Sequence, residues 1–305
     1  MRISSYQLYS SSVGGMLDQQ ARVSKLQQQL STGKRIVQAS DDPIGAMQSQ
    51  ALTKTISQYD QYSRNMTAAQ NSLKLEEGTL SATVDNLQNI RDLVVQASNG
   101  TQTDETRAAL AKAIRGNLDG LMQLANTQDS TGNYIFSGSK TDTPAYIKDA
   151  TGNYVYQGNA GQLQIDIGPS RSVAAGDPGT NIFGNGATSV MAMVDSIATA
   201  LEQPQTTATL PAMQATLTAS MGQLDSALGK VSDAQSAVGS HQNAIDQQTS
   251  INADATLQFK SMLSQTQDLD YADAMTQYNL HMTSLQAAQQ AYSKVQGLSL
   301  FNYMQ

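Results

Sequence analysis

The chain has 305 residues, no cysteine and a formal net charge of −7. The missing thiols exclude disulfide scaffolds, cysteine-based zinc sites and thiol nucleophiles, and the acidic balance argues against nucleic acid as a partner, because phosphate binding needs a basic face. Aromatics at 5% and charged residues at 14% leave small and amide side chains to fill the chain, which suits thin helix–helix seams better than a deep core.

The first forty residues carry Arg2, Arg22, Lys25, Lys34 and Arg35 against Asp18 alone, and these cations read as a solvated helix face. No apolar run of secretory length precedes them, so no cleavable signal peptide is expected. No stretch approaches the roughly 20 apolar residues of a membrane span. Met16, Val23, Leu26, Leu30 and Val37 fall on one helix face, with Gly33 where an apolar residue would sit. Ser40-Asp41-Asp42-Pro43 then precedes the longest helix; Ser40 or Asp41 is expected to accept from free N–H groups there, with Pro43 in the first turn.

From about 44 to 98 every seventh residue is apolar: Leu52, Tyr59, Met66, Leu73, Leu80, Leu87 and Val94. The positions four residues on are mixed, with Ile56 and Val84 apolar but Ser63, Gln70, Glu77 and Arg91 polar. Such a narrow stripe wants partners alongside, and a helix of this length spans roughly 80 Å. Asn99-Gly100 supplies the stop. A shorter helix is predicted near 104–128 on Leu110, Ile114, Leu118 and Leu121.

Glycines and prolines punctuate 131–186, where period-two runs appear in Tyr154-Val155-Tyr156 and in Leu163, Ile165 and Ile167. Thr131-Gly132-Asn133-Tyr134 recurs as Thr151-Gly152-Asn153-Tyr154, a turn expected to enter a β run both times. A helix near 187–202 leads to a second heptad train: Leu210, Leu217, Leu224, Val231, Val238 and Ile245, then an interruption at Asn252, then Phe259. Tyr271, Met275, Tyr278, Met282, Leu285 and Tyr292 stripe the last helix. The two terminal stripes are too thin to stabilise lone helices; they need each other or copies of themselves.

The expected fold is therefore mainly α, a long antiparallel helical bundle or coiled-coil rod made from both chain ends, with an inserted small β-rich domain. Residues 1–42 with 266–305 would form a terminal helical assembly domain, 43–130 with 187–265 the rod, and 131–186 the insert. The assembly interface is placed on Met16, Val23, Leu26, Leu30, Tyr271, Met275, Tyr278, Met282, Leu285 and Tyr292.

Chemistry finds little to work with. His241 and His281 sit on polar helix faces, and the adjacent carboxylates Asp41 and Asp42 diverge. Gly33-Lys34 lacks the rest of a phosphate loop, since Gln28 and Arg35 stand at its diagnostic positions. Gly184-Asn185-Gly186 has no strand–helix context, and Asp268, Asp270 and Asp273 lack the Gly and Glu of a calcium loop. No catalytic, cofactor-binding or metal-binding residue is assigned, and no enzyme activity is expected.

Leu30-Ser31-Thr32-Gly33-Lys34-Arg35-Ile36 resembles a stretch found in the flagellin family. Ser40-Asp41-Asp42-Pro43 is similar to the hook–filament junction branch of that family, whereas filament flagellins typically have Asp-Asp-Ala there. Gly132-Asn133-Tyr134-Ile135-Phe136-Ser137-Gly138 and its continuation to Thr143 resemble the segment entering the family's β domain. Asp270-Tyr271-Ala272-Asp273-Ala274, Ser293-Lys294-Val295 and Leu298-Ser299-Leu300-Phe301 are again junction-like. The resemblance covers essentially the whole chain. It implies a secreted subunit of the extracellular bacterial flagellum, exported unfolded by the type III apparatus, that links hook to filament and templates flagellin polymerisation. Implied partners are copies of itself, a hook-side hook-associated protein, flagellin and an export chaperone on the C-terminal stripe. No cofactor, membrane, nucleic acid or small-molecule substrate is implied. The residues leave two alternatives open, a filament or minor flagellin and a stalked adhesin with a ligand-binding β insert.

Overall fold

The computed structural model of the chain describes residues 2–99, 102–204, 206 and 209–301. Gly100 of the expected helix stop lies outside the described residues. The elements in order are α1 (Arg2–Thr32), α2 (Pro43–Ala97), α3 (Asp104–Ala125), β1 (Tyr146–Lys148), β2 (Tyr154–Tyr156), β3 (Gln164–Gly168), β4 (Arg171–Ala174), α4 (Gly179–Phe183), a 3-10 turn (Gly186–Thr188), α5 (Val190–Glu202), α6 (Thr209–Gln267) and α7 (Tyr271–Phe301). The chain is mainly helical with a small β region, the class expected from its periodicities. Two compact units divide it: 1–58 with 254–305, and 59–253.

In the second unit α2 and α6 run antiparallel. Gln242 Nε2 donates to Glu77 Oε2 at 2.9 Å, the Thr249 hydroxyl meets Met66 Sδ at 3.4 Å, and Arg91 pairs with Asp225 at 3.3 Å. Leu73, Leu80, Leu87 and Val94 face Leu217, Leu224, Val231, Val238 and Ile245 in one core. A buried Leu or Val contributes about 1.5–3 kcal/mol gross, and the exposed Arg91–Asp225 pair at most about 1 kcal/mol.

The companion row of the seam corrects the sequence reading. From Met66 on it lies three residues after the heptad position, at Ala69, Glu76, Thr83, Ile90 and Ala97, all buried, whereas after Leu52 the buried residue is Ile56, four positions on as expected. Glu77 and Arg91, four residues on, are exposed. Both choices are compatible with a seven-residue repeat. Ala69, Glu76, Thr83 and Ala97 are too small or too polar to carry a strong apolar signal; Ile90 is the one large apolar member of the row. On α6 the same offset gives Ser220, Ala227, Ala234 and Gln248.

Helix α3 packs on α5, where Arg115 donates to both Glu202 oxygens at 2.6 and 2.9 Å and to Asp195 at 2.7 Å. This bidentate arrangement is the strong form of an ion pair, and the guanidinium holds Glu202 below the usual carboxylate range.

The β region consists of two antiparallel hairpins, β1–β2 and β3–β4. They share the core of the helices: Phe136, Tyr146, Ile167, Ile182 and Phe183 join Leu73, Leu80 and Leu87 in one buried cluster. Phe183 meets Phe136 and Tyr146 edge-on, at 5.5 and 5.9 Å between ring centroids. The repeated tetrapeptide is a repeated turn, but only its second copy enters a strand; the first makes an isolated bridge between Gln128 and Tyr134. Each turn is built by an aspartate two residues before the Thr, which the sequence reading missed. Asp129 Oδ1 accepts from the Thr131 N–H and hydroxyl and the Asn133 N–H, and Asp149 repeats this with Thr151 and Asn153. The following glycines, Gly132 and Gly152, have φ of +87° and +89°, a region that favours glycine.

Candidate assembly site

In the first unit the two terminal motifs meet. Helix α1 ends at Thr32 and Gly33 takes φ +70°, so Val37 is off the helix on which the sequence placed it, and Ile36 is the buried side chain beyond the turn. The extended residues after Gly33 pair with the turn between α6 and α7. Arg35 N donates to Gln267 O at 2.7 Å, Leu269 N donates to Gly33 O at 3.0 Å, and Lys34 bridges Asp268. The Arg35 guanidinium donates to Thr266 O at 2.8 Å and pairs with Asp42 at 3.3 Å. Asp270 Oδ1 accepts from the Ala272 and Asp273 N–H groups and so caps α7.

The Ser40–Pro43 motif divides its labour differently from expectation. Asp42, not Ser40 or Asp41, caps α2: its Oδ1 accepts from Gly45 N at 2.9 Å, with Pro43 at the first helical position. Asp41 closes the preceding turn, accepting from Val37 N and Gln38 N and pairing with Lys25 at 2.8 Å. Ser40 lies 3.5 Å from the Gln38 side chain. Lys25, and then the Gln38 amide, hold Asp41 below the usual carboxylate range; the Gly45 amide does the same for Asp42. Depressed folded-state values mean that this contribution is present above the ordinary carboxylate range and is lost as pH falls through the lowered values.

Helix α1 packs on α7. Of the stripe residues, Val23 and Leu26 are buried, while Met16, Leu30, Tyr278, Met282, Leu285 and Tyr292 are half-buried. Tyr292 lies 5.6 Å from the Tyr9 ring, and His281 Nδ1 is 2.8 Å from Gln19 Oε1. Tyr271 and Met275 stay 55% and 47% exposed, so the chain does not cover its own C-terminal stripe at that end. The sequence reading missed a second set of exposed apolar residues in this unit: Leu17, Ile44, Met47, Leu257 and Leu280. They lie off the heptad stripes, and their signal is apolar side chains beside a stripe instead of on it.

In the second unit a polar clasp holds the β3–β4 hairpin and the segment after it. From α2, Asn65 Nδ2 donates to Asp166 O at 2.8 Å, Ser72 Oγ donates to Ala175 O at 2.8 Å, and Glu76 Oε1 accepts from Asp177 N at 3.0 Å. From α6, Asn252 Nδ2 donates to Ile167 O at 3.3 Å, and Gln248 bonds both Asn252 and Arg171. The interruption that Asn252 makes in the heptad train is therefore a buried contact to strand backbone. Among the described residues no group of His, Asp and Glu side chains is arranged to hold a metal ion.

Gly33 gives a direct test of the terminal junction. A Cβ there would lie 2.8 Å from the Tyr271 hydroxyl, so Gly33→Ala is expected to destabilise the chain by about 1–2 kcal/mol from the left-handed backbone alone, with more from displacing Tyr271. Gly14→Ala, which meets nothing within 4 Å in the middle of α1, is expected to be neutral or stabilising by about 0.5–1 kcal/mol. Denaturant unfolding of both variants checks the contrast.

Comparison with known proteins agrees with this geometry. The family profile for the bacterial flagellin N-terminal helical region matches residues 3–141, and that for the C-terminal helical region matches 221–304. The chain is 34% identical to flagellar hook-associated protein 3 of Escherichia coli K12 and 31% identical to that of Salmonella typhimurium, in each case over 99% of both chains. Its match to B-type flagellin of Pseudomonas aeruginosa, 35% identical, covers 37% of this chain and 23% of that one. Among solved structures, flagellar hook-associated protein 3 from Legionella pneumophila superposes with a TM-score of 0.67 at 21% identity, covering 71% of this chain and 98% of that one. FlgL from Xanthomonas campestris gives 0.64 at 21% identity over 70% and 99%. At such identities these two likenesses speak for the fold alone. The end-to-end matches to the curated relatives carry the conclusion that the chain belongs to the flagellin family, in its hook-associated protein 3 line.

Proposed function

We propose that this protein is the structural subunit that joins the flagellar hook to its filament and offers flagellin a surface on which to polymerise. The observation that carries the reading is the match to hook-associated protein 3 along 99% of both chains, where the flagellin match stops at about a third of this one. Partial coverage of flagellin is what a shared helical scaffold with a different middle segment gives, and it favours the junction reading over a filament flagellin.

The mechanism is non-catalytic. Tyr271, Met275, Leu17, Leu257 and Leu280 leave apolar surface in the unit formed by both chain ends. Burying such surface against neighbouring copies gains about 25 cal/mol per Å². Repeated head-to-tail contacts of this kind build rings or helical stacks, which fits a subunit placed between a hook-side hook-associated protein and flagellin. The chain would act outside the cell after export in unfolded form, and the absence of cysteine leaves nothing to cross-link on the way. In a strain lacking the gene, electron microscopy is expected to find hooks without filaments and flagellin free in the medium. Normal filaments on those hooks would refute the assignment.

Export calls for a partner that covers the C-terminal stripe beforehand. Tyr278, Met282, Leu285 and Tyr292 form a helix-length apolar face suited to an export chaperone, and its ordering on binding would keep copies from associating early. Titration of a chain truncated after Asp268 against the chaperone is expected to give no binding, and unchanged affinity would refute this role.

A further inference from the structure

Glu76 is the one carboxylic acid in the buried row of α2. Its side chain is 1% exposed, and it stands between Leu73 and Leu80 on the seam of the second unit. One oxygen accepts from Asp177 N at 3.0 Å; the other, Oε2, is buried without a hydrogen-bond partner. The backbone of Ala175–Asp177 lies over it. Ser72, one turn earlier, donates to Ala175 O, and a Cβ on Gly176 would come within 3.5 Å of Oε2. The titratable and charged groups around it are Asp177 in the overlying segment, Lys74 and Glu77 on the exposed side of its own helix, and His241 on α6 at the level fixed by the Gln242–Glu77 bond. Among the described residues none forms an ion pair with it, and Asp177, whose carboxylate takes the Gln162 amide at 2.7 Å, is a like charge.

We propose that Glu76 is a proton-dependent latch: as a neutral acid it fastens the Ala175–Asp177 segment, and with it the β3–β4 hairpin, onto α2, and its ionisation loosens that docking while the leucine seam below stays closed. The chemistry follows from the surroundings. An ionised carboxylate here keeps a single N–H donor, gains no counter-charge and faces Asp177, so its charge is penalised by both desolvation and repulsion. The neutral acid keeps the same N–H bond without either cost. Charge can be accommodated only by letting water reach Oε2, and the overlying three-residue segment is the cover that lifts. Asn65 and Asn252 hold the far end of the hairpin with uncharged groups, so opening starts at the Glu76 end.

Burial, and then the neighbouring Asp177, push the Glu76 carboxyl from its ordinary 4.5 up to about 8. Between those values the docked state binds a proton that the opened state releases, so docking weakens as pH rises through this window and levels off above it. The opened population is expected to grow about tenfold per pH unit across the window.

The test is amide hydrogen exchange on the full chain from pH 5 to 9, with rates corrected for intrinsic chemistry and with the amides of α5 as an internal reference. The Asp177 amide and the β3–β4 amides are expected to lose protection about tenfold per pH unit relative to α5 up to about pH 8, and Glu76→Gln is expected to remove that slope. The chain has four glutamates, Glu76, Glu77, Glu105 and Glu202, so 13C labelling at the side-chain carboxyl gives four signals. Three are assigned by Gln substitution of the exposed members, which keeps the test open if Glu76→Gln does not fold. The fourth is expected to titrate well above the others. A Glu76 signal titrating in the ordinary carboxylate range, or hairpin protection that follows α5 at every pH, overturns the latch.

Discussion

Everything in the larger unit depends on the antiparallel seam between α2 and α6. Large apolar residues spaced by seven fill one row of each helix, and mostly small or polar residues three positions on, with Ile90 the exception, line the other. Large side chains supply the apolar area, and Ala69, Ala97, Ser220, Ala227 and Ala234 are buried beside them. Side chains of α3, α5 and the β region join this seam in one buried cluster. Among the described residues the buried aromatic side chains, Phe136, Tyr146, Tyr154 and Phe183, lie where the β region meets the helices.

That seam also explains why its polar members are tolerated. Glu76, Gln248 and Asn252 occupy positions a Leu or Ala would fill in a simple coiled coil, and each carries a hydrogen bond to the inserted segment. A polar residue at a seam position costs stability and fixes register. Here the register fixed is that of the β3–β4 hairpin against two helices. The β region is thus built into the core of the larger unit, with helix side chains bonding its backbone directly.

Much of this was legible from residue spacing. The long helices, the β-rich middle and the terminal stripes follow from periods of seven and two, because those periods report which side chains share a face. The misses have physical causes. Apolar content does not locate the companion row, because Ala69, Glu76 and Thr83 are too small or too polar to register as apolar. Asp42 was passed over as the cap of α2 because its neighbours Ser40 and Asp41 are equally good acceptors; only the turn closed by Asp41 and Lys25 decides among them. The tetrapeptide repeat begins at Thr and so leaves out Asp129 and Asp149, the residues that build the loop. The pairing of Gly33–Arg35 with Gln267–Leu269 joins residues more than two hundred positions apart, and no local pattern contains it.

The terminal unit is where structure turns into function. Its two signature motifs lock together through backbone bonds and Asp270 caps the last helix, yet Tyr271 and Met275 are left facing outward beside that lock. Under the proposed function, neighbouring subunits at the junction complete this surface. The most direct measurement is add-back to hooks lacking the protein: purified chain, then flagellin, with filaments counted by electron microscopy. The intact chain should restore filaments, and a folded Tyr271→Ser, Met275→Ser double variant should restore few or none. Equal restoration by the variant would contradict the central claim.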